Sequence, residues 1–490
     1  MDVILLSSCV PNAGKNSMMR PRGCYQIAWY LRKHDYSVQV LEYVFRLSDS
    51  EINDLIDKFV TKDTRIIGLG AMILMDPTSM GAMIKKFERV LLEAKKRYPW
   101  VKIICGGPSS PFWSRIHRNR TLFDYVFTGH AEDPVLALCN HLFKAAPHPQ
   151  FEIADGNKFI REKFKMPHDT LYDIESADHL WDDRDCIQPG EALPLELSRG
   201  CVFKCKFCRF PHIGKSKNDF SRSMECVKTE IIDNYNRWGV YAYYMLDDTF
   251  NADQDRMREF YEMTQTLPFK IEYATYLRPD LLAAHPDTQF QLLESGLRGA
   301  YLGIETFNKE AATLIGKPWN GTKAKDYLPK LHEDIWKKRV NFHVGMICGI
   351  PPESFNEASE SNQYLIDTGM PGCLWFPLNI NRDAHDEFKS DFDINSDNYG
   401  FEWTVKDGRP MWKTPYCDRI AAGEWQVKLM EQYKPHQHFC SWNLIEMVSY
   451  GYDTQDLIEV RMIDFFGKSL EERRINFLKG YLEDLKKYYV

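Results

Sequence analysis

Short apolar runs punctuate the first 145 residues at Val3–Leu6, Val38–Leu41, Ile66–Leu69, Val101–Cys105 and Tyr125–Phe127. Runs of this length, bounded by turn residues, predict strands buried on both faces. The longer segments between them repeat apolar residues three and four apart. Met80, Met83, Phe87, Val90 and Leu91, for example, would line one face of a helix. Five strand–helix repeats predict an α/β unit over 1–145: a doubly wound, Rossmann-like parallel sheet with helices on both faces. Ligands in such sheets bind beyond the carboxyl ends of the strands. Those ends hold Gly68-Leu69-Gly70, Gly106-Gly107-Pro108 and Thr128-Gly129.

Residues 146–192 read as a connector rich in Pro, Asp and charge, in which Asp155-Gly156-Asn157 predicts a small hairpin between Phe151–Ile153 and Phe159–Ile160. Strand–helix alternation resumes at Leu193. Strands are expected near Leu195–Ser198, Tyr241–Leu246, Ile271–Ala274, Ala300–Ile304, Phe342–Cys348 and Leu374–Leu378, with helices such as 223–237 and 253–266, the latter capped by Asp253. Six such units over 193–384 predict a partial (βα)6, TIM-like barrel with its site at the C-terminal ends of the strands. From 385 to 490 strand-like runs stop and aromatics become dense (Phe401, Trp403, Trp412, Trp425, Trp442, Tyr450). Leu470–Tyr489 has the pattern of a charged amphipathic helix. This mostly helical C-terminal region is expected to cap the barrel over its substrate.

Composition narrows the function classes. The 490-residue chain is 44% apolar and 27% charged, as ordinary globular proteins are, and is long enough for two to four domains. A net charge of −7 with scattered Lys and Arg argues against a nucleic-acid backbone binder. The apolar start at Val3–Leu6 has no basic residues before it and is too short for a signal peptide or a membrane span, so a cytoplasmic protein is expected. The 13 cysteines are an odd number, which fits reduced thiols rather than a disulfide framework. Ten are scattered and read as small buried apolar residues. Cys201, Cys205 and Cys208 are clustered.

That cluster lies in Ser198-Arg199-Gly200-Cys201-Val202-Phe203-Lys204-Cys205-Lys206-Phe207-Cys208, directly after the first barrel strand. Thiolates four and three residues apart can wrap one soft metal site from a single loop. Three ligands on a four-iron cluster leave one iron open to a further ligand. A structural zinc site is the competing reading, but zinc wants four ligands and His212 is the nearest candidate for a fourth. A weaker metal signal, His436-Gln437-His438-Phe439-Cys440, reads as ordinary surface and core residues. Gly14-Lys15-Asn16-Ser17 lacks the spacing of a phosphate loop.

The CxxxCxxC motif, with Phe207 before its last cysteine, resembles that of the radical S-adenosylmethionine (radical SAM) superfamily. The resemblance extends over about 190–380. It implies a [4Fe–4S] cluster on Cys201, Cys205 and Cys208. It also implies S-adenosylmethionine contacts from Asp247 and Asp248 after the second strand, Thr275 and Arg278 at the third, Glu305 at the fourth, and Gly345, Gly349 and Ile350 at the fifth. The front of the chain resembles the cobalamin-binding domain of one branch of this superfamily. Gly70, Gly106, Gly107, Pro108, Thr128, Gly129 and Glu132 fall at the corresponding turns. Where that branch often has His after Gly-Gly-Pro this chain has Ser109, and Ala131 replaces the second Gly of Gly-x-Gly-Glu. The resemblance implies reductive cleavage of S-adenosylmethionine to a 5′-deoxyadenosyl radical, with cobalamin delivering a methyl group to an unactivated carbon. Radical cyclisation or rearrangement without methylation, and a non-catalytic iron–sulfur or zinc module, are the alternatives. The implied partners are a small-molecule or peptide substrate and an electron donor such as flavodoxin or ferredoxin, with no membrane or nucleic acid.

Overall fold

The computed structural model describes residues 1–8, 17–71, 80–107, 122–154, 157–161, 172–209, 214–317, 319, 321–380, 389–406, 409–465 and 467–490. They fall into two compact units. The first comprises 1–194, 225–240 and 469–490; the second comprises 195–224 and 241–468.

The first unit is built on strands β1 (Val3–Leu6), β2 (Val38–Leu41), β3 (Ile66–Gly70), β4 (Lys102–Gly106), β5 (Tyr125–Thr128), β6 (Glu152–Ala154) and β7 (Asn157–Arg161). Their order is β2-β1-β3-β4-β5-β7-β6, parallel except for the β6–β7 hairpin. This is a doubly wound order, and its topological switch point lies between β1 and β3. The strands form where the apolar runs predicted them, because Val3, Ile4, Leu6, Ile66, Ile67 and Ile103 are fully buried. The small hairpin expected in the connector forms from β6 and β7 and also extends this sheet: Val126 pairs with Phe159. Helix Met80–Arg97 buries Phe87, Val90 and Leu91 as the spacing predicts.

Polar tethers inside this unit are buried and well paired. The Arg20 side chain is completely buried and forms a two-pronged ion pair with Glu191, at 2.5 and 3.1 Å. It also donates to Tyr25 Oη and to the carbonyls of Asp185 and Cys186. Arg22 pairs in the same way with Glu230, at 2.6 and 3.2 Å. The last long helix, Lys468–Leu485, contributes Tyr481, whose hydroxyl accepts from the Glu42 backbone N–H and whose ring lies against Arg20. The expected substrate cap therefore does not extend to the C-terminus, since 469–490 is part of the first unit's core.

A second sheet comprises β8 (Leu193–Leu195), β9 (Ala242–Met245), β10 (Glu272–Leu277), β11 (Leu297–Glu305), β12 (Asn341–Cys348) and β13 (Cys373–Pro377), of which β9 to β13 lie wholly in the second unit. These form a six-stranded sheet in sequential order, and the registers of β9 to β13 are parallel, as a partial (βα)6 barrel requires. The first strand stops at Leu195, three residues short of the expectation. Asp247 is the cause: its carboxylate accepts from the Leu197 N–H, which is thereby taken from the sheet ladder, and from the Ser198 hydroxyl. Asp253 caps helix Gln254–Gln265 as expected.

The mostly helical C-terminal region also holds strands where the sequence pattern showed no strand-like runs. An antiparallel hairpin, β14 (Glu402–Lys406) and β15 (Arg409–Lys413), places Trp403 opposite Trp412. Helix Arg419–Tyr433 follows. Segment 437–446 then packs on the N-terminal half of the barrel strands: Asn341 Nδ2 donates to Phe439 O, and Ser441 Oγ donates to Ala300 O. Ser441 takes a left-handed φ of 52° here, and a side chain on Gly299 would collide with its backbone. Among the described residues no helix is long and apolar enough to cross a membrane.

Candidate active site

The cysteine loop leaves the barrel after β8 and is tied down along its length within the second unit. Arg199 N donates to Phe220 O, and Gly214 N donates to Cys201 O. Lys206 N donates to Ile315 O. Helix Asp391–Ile394 braces the far end: Phe392 N donates to Lys206 O, and Arg209 pairs with the buried Asp393. Residues beyond 385 thus carry part of the loop.

Cys201, Cys205 and Cys208 are half-buried free thiols, as all twelve described cysteines are free. Among the described residues no three His, Cys, Asp or Glu side chains are already gathered around a metal-sized point. The fit to an iron–sulfur cluster rests on donor chemistry. Three soft sulfur ligands share one short loop, and groups suited to a thiolate face two of them. The Thr249 hydroxyl lies 3.2 Å from Cys201 Sγ. Arg278 Nη1 lies 3.7 Å from Cys205 Sγ. Arg278 is held on all sides. It is paired twice with Asp280, at 3.1 and 2.7 Å, its guanidinium stacks 3.8 Å over Phe203, and its backbone is clamped in both directions by the Asn251 amide.

Beside the loop a small cavity is lined by Ser198, Gly200, Val202, Lys215, Asp247 and Thr249. Burial and the adjacent Asp247 push the Asp248 carboxyl up to about 7, against the opposing pull of Lys215 and the Gly200 N–H. Burial likewise raises Asp247 and lowers the Lys215 ammonium. The cavity thus combines the buried Asp247 carboxyl with the Lys215 ammonium beside the cysteine loop, groups suited to a polar, zwitterionic molecule.

Residues 195–365 match the radical SAM superfamily. The chain contains a radical SAM domain. Its family uses a [4Fe–4S] cluster and S-adenosylmethionine. A curated relative, cytidylyl-2-hydroxyethylphosphonate methyltransferase of Streptomyces wedmorensis, is 25% identical over 185 residues, 37% of this chain. The match spans about a third of that relative's length (34%). Among solved structures, the radical SAM methyltransferase TsrM of Kitasatospora setae, with cobalamin and a [4Fe–4S] cluster bound, aligns with a TM-score of 0.65 at 12% identity, covering 99% of each chain. The cobalamin-dependent radical SAM enzyme OxsB with aqua-cobalamin aligns at 0.56 and 13% identity, covering 99% of this chain and 80% of that one. At these identities the likeness is one of fold.

The other expected residues of the radical SAM domain are only partly brought together. Glu305 ends β11 in a left-handed conformation (φ 72°), just after a register shift, and pairs with Lys317 at 3.2 Å. Gly345 faces Tyr301, whose hydroxyl fills the place a side chain there would take. Thr275 is fully buried, on the face of β10 opposite Tyr276, so strand alternation directs it away from Tyr276. Gly349 (φ 95°) is packed by Trp412, Ala422 and Cys417, and Ile350 is buried. Phe207 is half-buried, and the aromatic stacked at the loop's cation is Phe203 instead. Sequence reasoning missed Thr249, Lys215 and Glu353. Of these, only Thr249 carried a signal, its place beside the paired aspartates.

Glu353 is fully buried beyond β12. Its Oε1 accepts from the Thr306 hydroxyl at 2.6 Å, and its Oε2 has no partner among the described residues. Burial pushes its carboxyl up to about 8. A carboxyl raised in the folded state holds a proton that the unfolded chain releases near its ordinary value, so stability falls as pH rises from about 4.5 towards 8, by up to ~1.4 kcal/mol per pH unit. The Glu353→Gln variant should therefore gain in melting temperature over the parent between pH 5 and pH 8. A gap that stays constant across that range would contradict this reading.

In the first unit, the carboxyl ends of β3, β4 and β5 lie side by side, with Gly70 in register with Gly106. Gly107 (φ 111°) and Gly129 (φ 81°) take left-handed turns there. Thr128 Oγ1 at the end of β5 and Ser8 Oγ just after β1 are buried without hydrogen-bond partners among the described residues. Unsatisfied polar atoms along this edge fit a polar ligand. Glu132 differs from the expectation: it is buried and accepts from Gln26, an internal contact. Pro108 lies outside the described residues.

Proposed function

We propose that this chain is a cobalamin-dependent radical SAM methyltransferase acting on an unactivated carbon of a small molecule. The observation that carries the proposal is the cysteine loop. Three thiols stand at the end of the first barrel strand, with the Thr249 hydroxyl and the braced Arg278 guanidinium directed at two of them. Bound at these sites, the cluster, S-adenosylmethionine and cobalamin would supply one-electron cleavage of a sulfonium bond and a transferable methyl group.

The chain's own residues bind and orient. Cys201, Cys205 and Cys208 hold the cluster, and Asp247 fixes the loop's first residues through Leu197 and Ser198. Asp248 and Glu305 present carboxyl groups to the amino and ribose ends of S-adenosylmethionine, and Gly345 and Ile350 line the adenine side. Gly70, Gly106, Gly107, Thr128 and Gly129 admit cobalamin at the sheet edge of the first unit. The domains follow as 1–145 for cobalamin, 146–192 as connector, 193–384 for the radical SAM barrel and 385–490 as the C-terminal region. A flavodoxin or ferredoxin supplies the electron, and the protein works in the cytoplasm.

The test is anaerobic. The full chain is reconstituted with iron and sulfide, incubated with hydroxocobalamin and desalted. Near-stoichiometric cobalamin retention, together with 5′-deoxyadenosine formation from S-adenosylmethionine, is expected. An intact cluster with no retained cobalamin would remove methyl transfer from the proposal.

A further inference from the structure

Two of the three thiols of the cysteine loop meet groups that follow barrel strands: Thr249 comes after β9 and Arg278 directly after β10. The residues on either side of Cys208 are held from another place, the one-turn helix Asp391–Ile394. Three successive residues of that turn reach the loop. Asp391 pairs with the Lys206 ammonium at 3.2 Å, and Phe392 N donates to Lys206 O at 3.0 Å. Asp393 takes the Arg209 guanidinium on both its oxygens, with Nε to Oδ2 at 2.7 Å. Lys206 N in turn donates to Ile315 O, and Cys208 N donates to Cys205 O. The stretch Lys206–Arg209 is thus gripped at both ends, with Cys208 inside it.

A helix of one turn does not form for its own stability, because fixing its backbone costs more than its few hydrogen bonds return. Two devices hold this one. Ser390 and Asp393 form a capping box: the Asp393 N–H donates to the Ser390 hydroxyl, and the Asp393 carboxylate accepts from the Ser390 N–H and hydroxyl. Phe392 is fully buried against the Tyr399 and Phe401 rings. Phe401 packs on Trp412, whose indole N–H donates to Leu378 O just after β13. The turn is therefore fixed to the barrel rather than hanging from the loop it holds. The Asp393 side chain has no exposed surface, and that of Arg209 is 22% exposed. A two-pronged pair in such surroundings fixes the guanidinium in both plane and direction, and Arg209 is joined directly to Cys208.

We propose that Asp393 is a positioning residue for the cluster: acting through Arg209, it fixes where the third cysteine ligand stands. The C-terminal region then governs Cys208, while Thr249 and Arg278 address the other two thiols. The inference rests on the reading of Cys201, Cys205 and Cys208 as cluster ligands.

The test compares the full chain with Asp393→Asn, Arg209→Gln and the double variant, each reconstituted anaerobically with iron and sulfide. Asp393→Asn keeps the size and an acceptor for the Ser390 cap but removes the charge. The readouts are the rate at which iron passes to a ferrous chelator after reduction with dithionite, and the electron paramagnetic resonance of the reduced cluster. Each single variant should lose iron about tenfold faster than the parent, the scale for groups that orient a metal ligand, and should show an altered resonance. The double variant should lose iron no faster than either single one, because both changes remove the same link. Ser390→Ala weakens the cap but leaves the Arg209 pair, so it should lower the melting temperature and leave both cluster readouts as in the parent. Unchanged iron loss in Asp393→Asn, losses that multiply in the double variant, or cluster readouts in Ser390→Ala that match those of Asp393→Asn would overturn the assignment. If Arg209→Gln does not fold, because it leaves a buried carboxylate without its cation, Asp393→Asn and Ser390→Ala decide between them. A parent chain that retains no iron overturns the cluster reading and this one with it. A parent that retains iron and forms 5′-deoxyadenosine beside unchanged variants overturns only the role of Asp393.

Discussion

Replacing Arg20 by methionine is expected to destabilise the first unit by about 3–5 kcal/mol, the cost of removing one partner of a buried ion pair. Methionine fills much of the same space, so the loss is electrostatic rather than a cavity effect. It leaves Glu191, which is 1% exposed, with the Tyr43 hydroxyl and the Gln188 N–H as its remaining donors among the described residues. It also strips the Tyr25 hydroxyl and the Asp185 and Cys186 carbonyls of a donor. The double variant Arg20→Met, Glu191→Gln should recover part of the loss, because no uncompensated charge then remains. Denaturant unfolding of the four proteins in the cycle measures both quantities. A loss below about 1 kcal/mol in the single variant would place this pair in the class of weak surface bridges instead.

The second large effect is at the cysteine loop. Cys205→Ala should reduce 5′-deoxyadenosine formation to background and lower the iron retained after reconstitution, since two thiols cannot hold a four-iron cluster. Arg278→Gln separates holding from tuning. Its neutral amide keeps a donor near Cys205 but removes the positive charge 3.7 Å from the sulfur. Cationic and hydrogen-bonding neighbours favour the reduced, more negative cluster, so the reduction potential should fall, by an amount on the order of 60 mV for each tenfold change in the one-electron equilibrium. Electrochemical titration of the reconstituted protein gives the potential directly. An unchanged potential with full iron content would make Arg278 a purely structural brace for Phe203 and Asp280.

The parts of this molecule legible in its sequence are those decided by short-range patterns. Strands β1 to β5 fall within a residue of their apolar runs because parallel strands covered on both faces leave little room for polar residues. The cysteine loop was legible because its three ligands lie within eight residues, Cys201 to Cys208. What remained hidden depends on distant partners. Arg278 looks like any charged residue until Cys205, 73 positions earlier, is seen beside it. Asp247 shortens β8 through bonds to Leu197 and Ser198 that no local pattern encodes. The β14–β15 hairpin was missed because Glu402–Lys406 and Arg409–Lys413 mix charge, proline and aromatics and lack a clean apolar alternation.

The division of the chain also bears on its synthesis. A ribosome releases residues 1–194 before 225–240 and Tyr481, yet the core they form includes that helix and the Tyr481 ring. The barrel likewise waits for Ser441 and Trp442 long after its sixth strand has emerged. Neither unit has its full set of contacts until these distant segments have been synthesised. The nascent chain therefore leaves the tunnel with two unfinished cores, and it is a natural client for holding chaperones throughout translation.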